Sequence, residues 1–170
     1  MIAINLFLIT VLAVCVVTDL KSRKIYNKVI FPSLVIAFIA NFFIYGFSGV
    51  TTAVIGFFLG LAILIIPFLL GGMGAGDVKL LAFIGALKGT SFVFITAIYM
   101  AIIGAIIALA IVVLRKGWAK NWLYFLYGRK CGLDVPLTFD NRSMKATYPY
   151  GVAIALGAVF TLVFQELPFL

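Results

Sequence analysis

The sequence predicts an all-α fold: a polytopic membrane protein with six transmembrane helices, the fourth of them short, in one domain over residues 1–170. Two of the observations behind this fold class come from composition: the balance of hydrophobic and charged residues, and the mean hydropathy. Hydrophobic residues make up 65% of the chain and charged residues 11%, and the mean hydropathy is +1.27. The third observation is length, because several apolar runs reach the roughly 20 residues that span a bilayer as a helix. A soluble domain of 170 residues needs far less apolar surface.

Six apolar runs define the predicted helices. In order, they cover residues 2–18, 29–45, 50–70, 78–87 and 91–114, with a last run that opens at 148–151 and ends near 166. Asn27 is the expected N-cap of the second helix, because its side chain suits that position. The uncharged segment 46–49 predicts a turn, and Pro67 predicts a kink near the end of the third helix. Residues 115–147 form the one long polar region, which we expect to be a cytoplasmic loop.

The fourth run, residues 78–87, is shorter than a usual span, so its crossing has to be argued from charge. If it crosses, the loops after helices one, three and five share one side and hold 12 of the 13 basic residues, with Lys88 opposite. If it only dips in and returns, the loop with seven basic residues moves to the other side. The positive-inside rule favours the crossing, with the basic side cytoplasmic. Such a short helix can begin below the membrane surface, in a wet cavity shielded by protein.

Asp77 is the first candidate functional residue. It lies in the stretch Gly71-Gly72-Met73-Gly74-Ala75-Gly76-Asp77-Val78-Lys79, between two apolar runs, in a chain with five acidic residues. A carboxylate next to a segment of hydrocarbon length is costly, so it indicates a functional site. Glycines such as Gly74 and Gly76 permit unusual backbone conformations and the close approach of another chain. Lys79 either modulates the charge of Asp77 or extends to the cytoplasmic surface.

Asp19 is the second candidate, because it ends the first apolar run on the same predicted side as Asp77. Two further crossings return the chain to that side, so we expect helix packing to bring the two carboxylates to one water molecule. Two close carboxylates do not both ionise readily. One then acts as a base toward water while its protonated partner polarises a carbonyl, which hydrolyses a peptide without a covalent intermediate. The simpler interpretation is that each acid caps a helix end, and for Asp19 alone it is the stronger one.

Other residue types exclude or disfavour several classes of protein. The chain contains no histidine, which excludes His-based acid–base catalysis and His-ligated metals. Cys15 lies in an apolar run and Cys131 in the polar loop, so neither a disulfide nor a metal site is expected. The net charge of +8 indicates membrane topology and contact with anionic lipid rather than nucleic-acid binding. We expect no cofactor.

Three segments, taken in their order along the chain, carry a family resemblance. Gly74–Leu81 reads Gly-Ala-Gly-Asp-Val-Lys-Leu-Leu, and Asp19–Asn27 is an acid followed by basic residues, with Tyr26 where a proline is usual. Tyr148–Ala153 opens the last helix. Together these segments resemble the type IV prepilin peptidases, intramembrane aspartyl proteases with a GxGD motif, over nearly the whole chain. The resemblance implies catalytic roles for Asp19 and Asp77. The residues that would support the motif are Gly74, Gly76 and Lys79.

The resemblance also implies a substrate and a location. Prepilin peptidases cut type IV prepilin-like precursors, in which a short basic leader precedes an apolar helix, at the cytoplasmic face of the inner membrane. Members with a methylating N-terminal domain usually carry a four-cysteine insert, and this chain has two cysteines in all. It therefore resembles the short, peptidase-only branch associated with Flp or Tad pili, and methylation of the product is in doubt. The implied partners are the precursor and membrane lipid.

Two other classes of protein remain compatible with parts of the sequence. A small transporter or channel would use Asp19 and Asp77 as ion or proton sites, but it would be expected to carry more polar residues inside its helices. A non-enzymatic subunit of an envelope assembly machine would leave Asp77 and its glycines unexplained. Asp134 and Asp140 are expected to be solvated residues of the polar loop. The aromatic and basic residues of 115–127 predict a segment that lies on the membrane surface.

Overall fold

The computed structural model describes residues 2–114 and 150–166, which form five helices. In chain order these are α1 (Ile2–Ser22), α2 (Asn27–Leu69), α3 (Ala75–Lys88), α4 (Thr90–Leu114) and α5 (Tyr150–Glu166). The described residues contain no strand, and the prediction of an all-α chain is confirmed. The interpretations made for residues 115–149, including Cys131, Asp134, Asp140 and the polar loop, lie outside the described residues.

Contacts between residues divide the chain into two units. The larger unit, Met1–Ile103 with Pro149–Leu170, contains α1, α2, α3, the first half of α4, and α5. It also contains every residue of the candidate site described below. The smaller unit is Gly104–Tyr148, of which the described part is the remainder of α4. A single domain over the whole chain stays a prediction.

Helix α2 is a helical hairpin rather than one straight helix. Gly46 has φ 62° and ψ −146°, a conformation that residues with a side chain rarely adopt. The ring centroids of Phe38 and Phe57 lie 6.2 Å apart, whereas these positions would be roughly 28 Å apart along a straight helix. The chain therefore reverses at Gly46, inside the predicted turn. One non-helical residue is enough for the reversal, because glycine tolerates this backbone conformation. A residue with a side chain would require a longer turn.

Small residues let the second half of α2 pack backbone to backbone against α3. A Cβ atom on Gly56 would collide with the carbonyl oxygen of Gly85, and one on Gly60 would lie 2.6 Å from that of Leu81. Glycines four residues apart on one helix face are typical of such close crossings in membranes. Every residue of α3 from Leu80 to Leu87 is buried. The predicted short fourth helix is therefore present as α3, and it is enclosed by protein.

The glycine stretch ends α2 and begins α3. Gly71 has φ 74°, its N–H donates to the carbonyl oxygen of Phe68, and the N–H of Gly72 donates to that of Pro67. This pattern is a Schellman motif, in which the last carbonyl groups of a helix find donors just beyond its end. Gly74 is extended, with φ −82° and ψ 150°, and it directly precedes α3. The stretch thus supplies both the stop of one helix and the start of the next.

One local prediction about α2, the N-cap, is wrong. Tyr26 occupies its N-cap position, and the side chain of Asn27 instead accepts a hydrogen bond from Lys79 Nζ. Because α2 already begins at Asn27, this side chain lies one residue past the N-cap position. At Pro67 the backbone keeps helical φ and ψ, and the departure from helical dihedral angles inside α2 is at Gly46. The kink at Pro67 stays a prediction.

Three described helical stretches are long and apolar enough to cross a bilayer: Ile2–Ser22, Asn27–Leu69 and Thr90–Ile111. Helices α3 and α5 are shorter, with 14 and 17 residues. The long apolar helices indicate a membrane protein. Each half of the α2 hairpin is close to the roughly 20 residues of a span, so α2 is compatible with two crossings. The count of six crossings stays a prediction.

Candidate active site

Asp77 lies in the first turn of α3, where its carboxylate turns back to the start of the helix. Its Oδ2 accepts a hydrogen bond of 3.2 Å from the backbone N–H of Gly74, and the residue is 8% exposed. An acidic side chain at this position satisfies an N–H group that has no partner inside the helix. The positive end of the helix dipole also favours a negative charge here. The start of α3 therefore holds this carboxylate in place.

Asp19 lies in the last turn of α1, and its carboxylate is held by a distant part of the chain. Its Oδ2 accepts a hydrogen bond of 3.1 Å from the backbone N–H of Gly151, 132 residues later, at the start of α5. Asp19 is 7% exposed. A Cβ atom on Gly151 would lie 2.7 Å from the same Oδ2. Glycine is thus the residue that lets α5 begin directly against this carboxylate.

The structure brings the two predicted acids together. Asp19 and Asp77 are close enough to interact electrostatically, and Arg23 is close enough to Asp19 to attract it. Helices α1, α3 and α5 all contact one another, so one end of each helix contributes to the pair. The hydrogen bond described for each carboxylate engages Oδ2. Two interacting carboxyl groups are chemically able to divide the roles of acid and base between them.

Capping of helix ends accounts for only part of this arrangement. Asp77 does bind the start of its own helix, as an ordinary capping residue would. Asp19, however, lies at the end of its helix and binds the start of a different one. Burial of two interacting carboxylates is costly for stability, because each loses hydration and repels the other. A purely structural role would not require that both acids be placed together.

Gly76 and Gly74 lie beside the pair for different reasons. A Cβ atom on Gly76 would lie 2.9 Å from the Cβ of Ile25, in the loop between α1 and α2. A Cβ atom on Gly74 would lie 3.3 Å from Oδ2 of Asp77. Neither glycine has a positive φ, so close approach rather than unusual backbone conformation explains them. Gly76 packs α3 against the loop that follows Asp19, and Gly74 leaves room for the Asp77 carboxylate.

Lys79 binds the start of α2. Its Nζ donates a hydrogen bond of 3.0 Å to Oδ1 of Asn27 and lies 5.4 Å from the centroid of the Phe31 ring. Residues two apart on a helix do not face each other, so Lys79 and Asp77 point in different directions. The lysine therefore does more than extend to the membrane surface.

Three contributors to the site were not identified from the sequence: the N–H of Gly151, the side chain of Ile25 and the amide of Asn27. The opening of the last helix is one of the three segments that carry the family resemblance, and this is the available signal for Gly151. A backbone donor carries no residue-type signature of its own. For Ile25 and Asn27 the sequence contained only their place in the segment after Asp19.

No group of three or more His, Cys, Asp or Glu side chains that could hold a metal ion occurs within residues 2–114 and 150–166. Cys15 lies one helical turn before Asp19 and is buried. The expectation that the protein uses no cofactor stays a prediction.

A model of the type IV leader peptidase family matches residues 6–109 of the chain. The match covers more than half of the sequence, and it includes both acids, the glycine stretch and Lys79. Gly151 lies beyond it. Comparison with curated proteins and with solved structures gave no match.

Proposed function

The chain belongs to the type IV leader peptidase family, and from that premise we propose that it is an intramembrane aspartyl endopeptidase. Its proposed substrates are type IV prepilin-like precursors, from which it removes the short basic leader. Family membership by itself makes the chain a peptidase. The observation that most supports the aspartic type is the approach of two buried carboxylates, Asp19 and Asp77, from separate helices.

The proposed chemistry needs one ionised and one protonated carboxyl group. Two close carboxylates repel each other, so the pair shares one proton. The ionised group removes a proton from water, whose oxygen attacks the scissile carbonyl carbon, while its partner donates a proton to the carbonyl oxygen. Collapse of the tetrahedral diol breaks the C–N bond, and a proton passes to the leaving nitrogen. The peptide is hydrolysed without a covalent bond to the enzyme.

The proposed cut lies at the cytoplasmic end of a membrane-embedded helix. Asp19 and Asp77 belong to the side to which 12 of the 13 basic residues are assigned, and basic loops favour the cytoplasm. A prepilin keeps its basic leader in the cytoplasm and its apolar helix in the bilayer. The peptide bond between leader and helix therefore lies at the cytoplasmic membrane face, on the same side as the two acids. A narrow site between packed helices admits little side chain, which favours a small residue such as glycine before the cut.

A transporter or channel with Asp19 and Asp77 as ion or proton sites is less well supported. Within the described helices, buried polar side chains bind protein groups: Asn41 donates to carbonyl oxygens at the end of α3, and Thr96 donates to Thr161. Side chains used in this way stabilise helix packing rather than line an ion path. Membership of a peptidase family also favours hydrolysis.

Incubation of the purified protein with a prepilin precursor in detergent tests the proposal, with the products identified by mass spectrometry. We expect one cut between the basic leader and the apolar helix, after a small residue. Replacing the leader's lysines should slow cleavage less than replacing that small residue, because recognition rests on the apolar helix and the cleavage site. A cut deep within the apolar helix would instead indicate a presenilin-like protease. Ion flux into proteoliposomes without any cleavage would indicate a transporter.

A further inference from the structure

The hydrogen bond between Lys79 and Asn27 joins the two chain segments that carry the acids. Lys79 follows Asp77 by two residues, and Asn27 begins the helix that follows Asp19 and its loop. We propose that Lys79 and Asn27 are a positioning pair, which sets the separation of the two carboxylates. This inference rests on the proposed function of Asp19 and Asp77 as a catalytic pair.

Asp19 and Asp77 belong to differently supported elements, so the contacts between these elements set the distance between the two carboxylates, in addition to the contacts of α5. Asp77 is on α3, which packs backbone to backbone against the second half of α2. Asp19 is at the end of α1, so its distance from Asp77 depends on how that end and its loop lie against α3. Two described contacts connect the loop region to the start of α3. One is the packing of Ile25 against Gly76, and the other is the bond from Lys79 to Asn27.

The surroundings of Lys79 favour positioning over a direct electrostatic role. The lysine is half-buried, its ammonium is bonded to the exposed side chain of Asn27, and it also lies over the partly exposed ring of Phe31. A cation over an aromatic face gains further attraction, which adds to the hydrogen bond. Direct recognition of a basic leader by this ammonium group is disfavoured, because like charges repel. The pair therefore acts on the geometry of the acids.

A positioning role predicts a specific kinetic pattern in the cleavage assay. Lys79→Met and Asn27→Ala should each lower kcat roughly 10-fold and leave KM within about 2-fold, because misplaced catalytic groups slow the chemical step. The double variant should be no worse than the more damaging single variant, since both changes remove one shared bond. Asn27→Asp should retain activity, because a carboxylate accepts the same hydrogen bond. Lys28→Met is the matched control, since it removes a neighbouring exposed charge and leaves the pair intact.

A second measurement does not depend on activity. Spin labels on cysteines at Ser22 and Met73, in a background without Cys15 and Cys131, report the distance from the end of α1 to the chain just before α3. This distance distribution should broaden in Lys79→Met and remain narrow in Lys28→Met. An unchanged distribution in Lys79→Met overturns the inference, whether or not the protein cleaves prepilins.

Other kinetic outcomes also decide between roles. A rise in KM at constant kcat would make the pair a substrate contact and overturn positioning. A loss of folded protein with normal kcat per folded molecule would make the pair structural, which also overturns it. Failure of the wild-type protein to cleave, or activity in Asp19→Asn, would overturn the proposed function instead. The label distances would then still decide whether the pair sets this geometry.

Discussion

The carboxylate of Asp19 accepts a hydrogen bond from the backbone N–H of Gly151, and this bond joins the end of α1 to the start of α5. The N-terminal end of a helix carries partial positive charge, so α5 supports a negative charge on Asp19. The contact explains why the opening of the last helix belongs to the site although it contributes no acidic or basic side chain.

Gly151→Ala should therefore inactivate the enzyme. The added Cβ would lie 2.7 Å from Oδ2 of Asp19, so the carboxylate has to move. A displacement of about 1 Å can cost about 100-fold in rate, and we expect a fall in kcat of that order. Leu156→Ala is the control, because this residue is on the same helix and 40% exposed. Wild-type kcat in Gly151→Ala would show that the bond to Asp19 has no catalytic importance.

Asp19→Asn and Asp77→Asn should each lower the rate of prepilin cleavage by at least about 100-fold. An amide can neither take a proton from the attacking water nor donate one to the scissile carbonyl oxygen. Both variants should still be expressed and inserted into the membrane. Asp134→Asn and Asp140→Asn are matched controls in the polar region 115–147 of the sequence and should remain active. Processing near the wild-type rate by either of the first two variants would contradict the proposed mechanism.

Gly76→Val should inactivate the enzyme, and Gly74→Ala should impair it less. A side chain on Gly76 meets the Cβ and backbone of Ile25, which cannot easily move, whereas one on Gly74 meets a carboxylate oxygen at 3.3 Å. The measured order of kcat should be wild type, then Gly74→Ala, then Gly76→Val. If Gly76→Val were fully active, the close contact with the loop after Asp19 would be irrelevant to catalysis.

Gly56→Val should destabilise the fold itself. Its side chain would overlap the carbonyl group of Gly85, so α2 and α3 would have to separate. Overpacking typically costs about 1–3 kcal/mol, and a helix crossing without any free space is expected to lie at or above the upper end. Thermal unfolding in detergent measures the effect, with Ile55→Ala, 59% exposed, as the control. Equal unfolding midpoints for Gly56→Val and wild type would argue against the tight crossing.

Accessibility of single cysteines tests the predicted topology. In a background without Cys15 and Cys131, cysteines at Ser22, Gly72 and Ser143 should react only from the cytoplasmic side, and one at Ser48 only from outside. Positive loops face the cytoplasm, and the Ser48 region carries no charge. Outside labelling at Ser143 would mean that the short helix α3 does not cross the membrane, and the count of six crossings would be wrong.

The sequence by itself determined the all-α class, the approximate bounds of the helices and the two acids as candidates. These are local features: an apolar run of bilayer length is visible in composition, and an acid at the end of such a run stands out because burying it is costly. The short helix α3 was also predictable from local features, because its apolar run and the glycines before it are consecutive in the sequence. The reversal of α2 was predicted as a turn, although a single glycine suffices for it.

Only the tertiary structure decided which groups support the two acids. The donor to Asp19 is a backbone N–H 132 residues away, and a backbone N–H is present at every residue but proline, so no sequence pattern singles one out. Asn27 was assigned as a cap from local preference, but it binds Lys79, 52 residues later. The packing of helices decides which partner such a side chain meets, because it brings the Lys79 ammonium within hydrogen-bonding distance of Asn27.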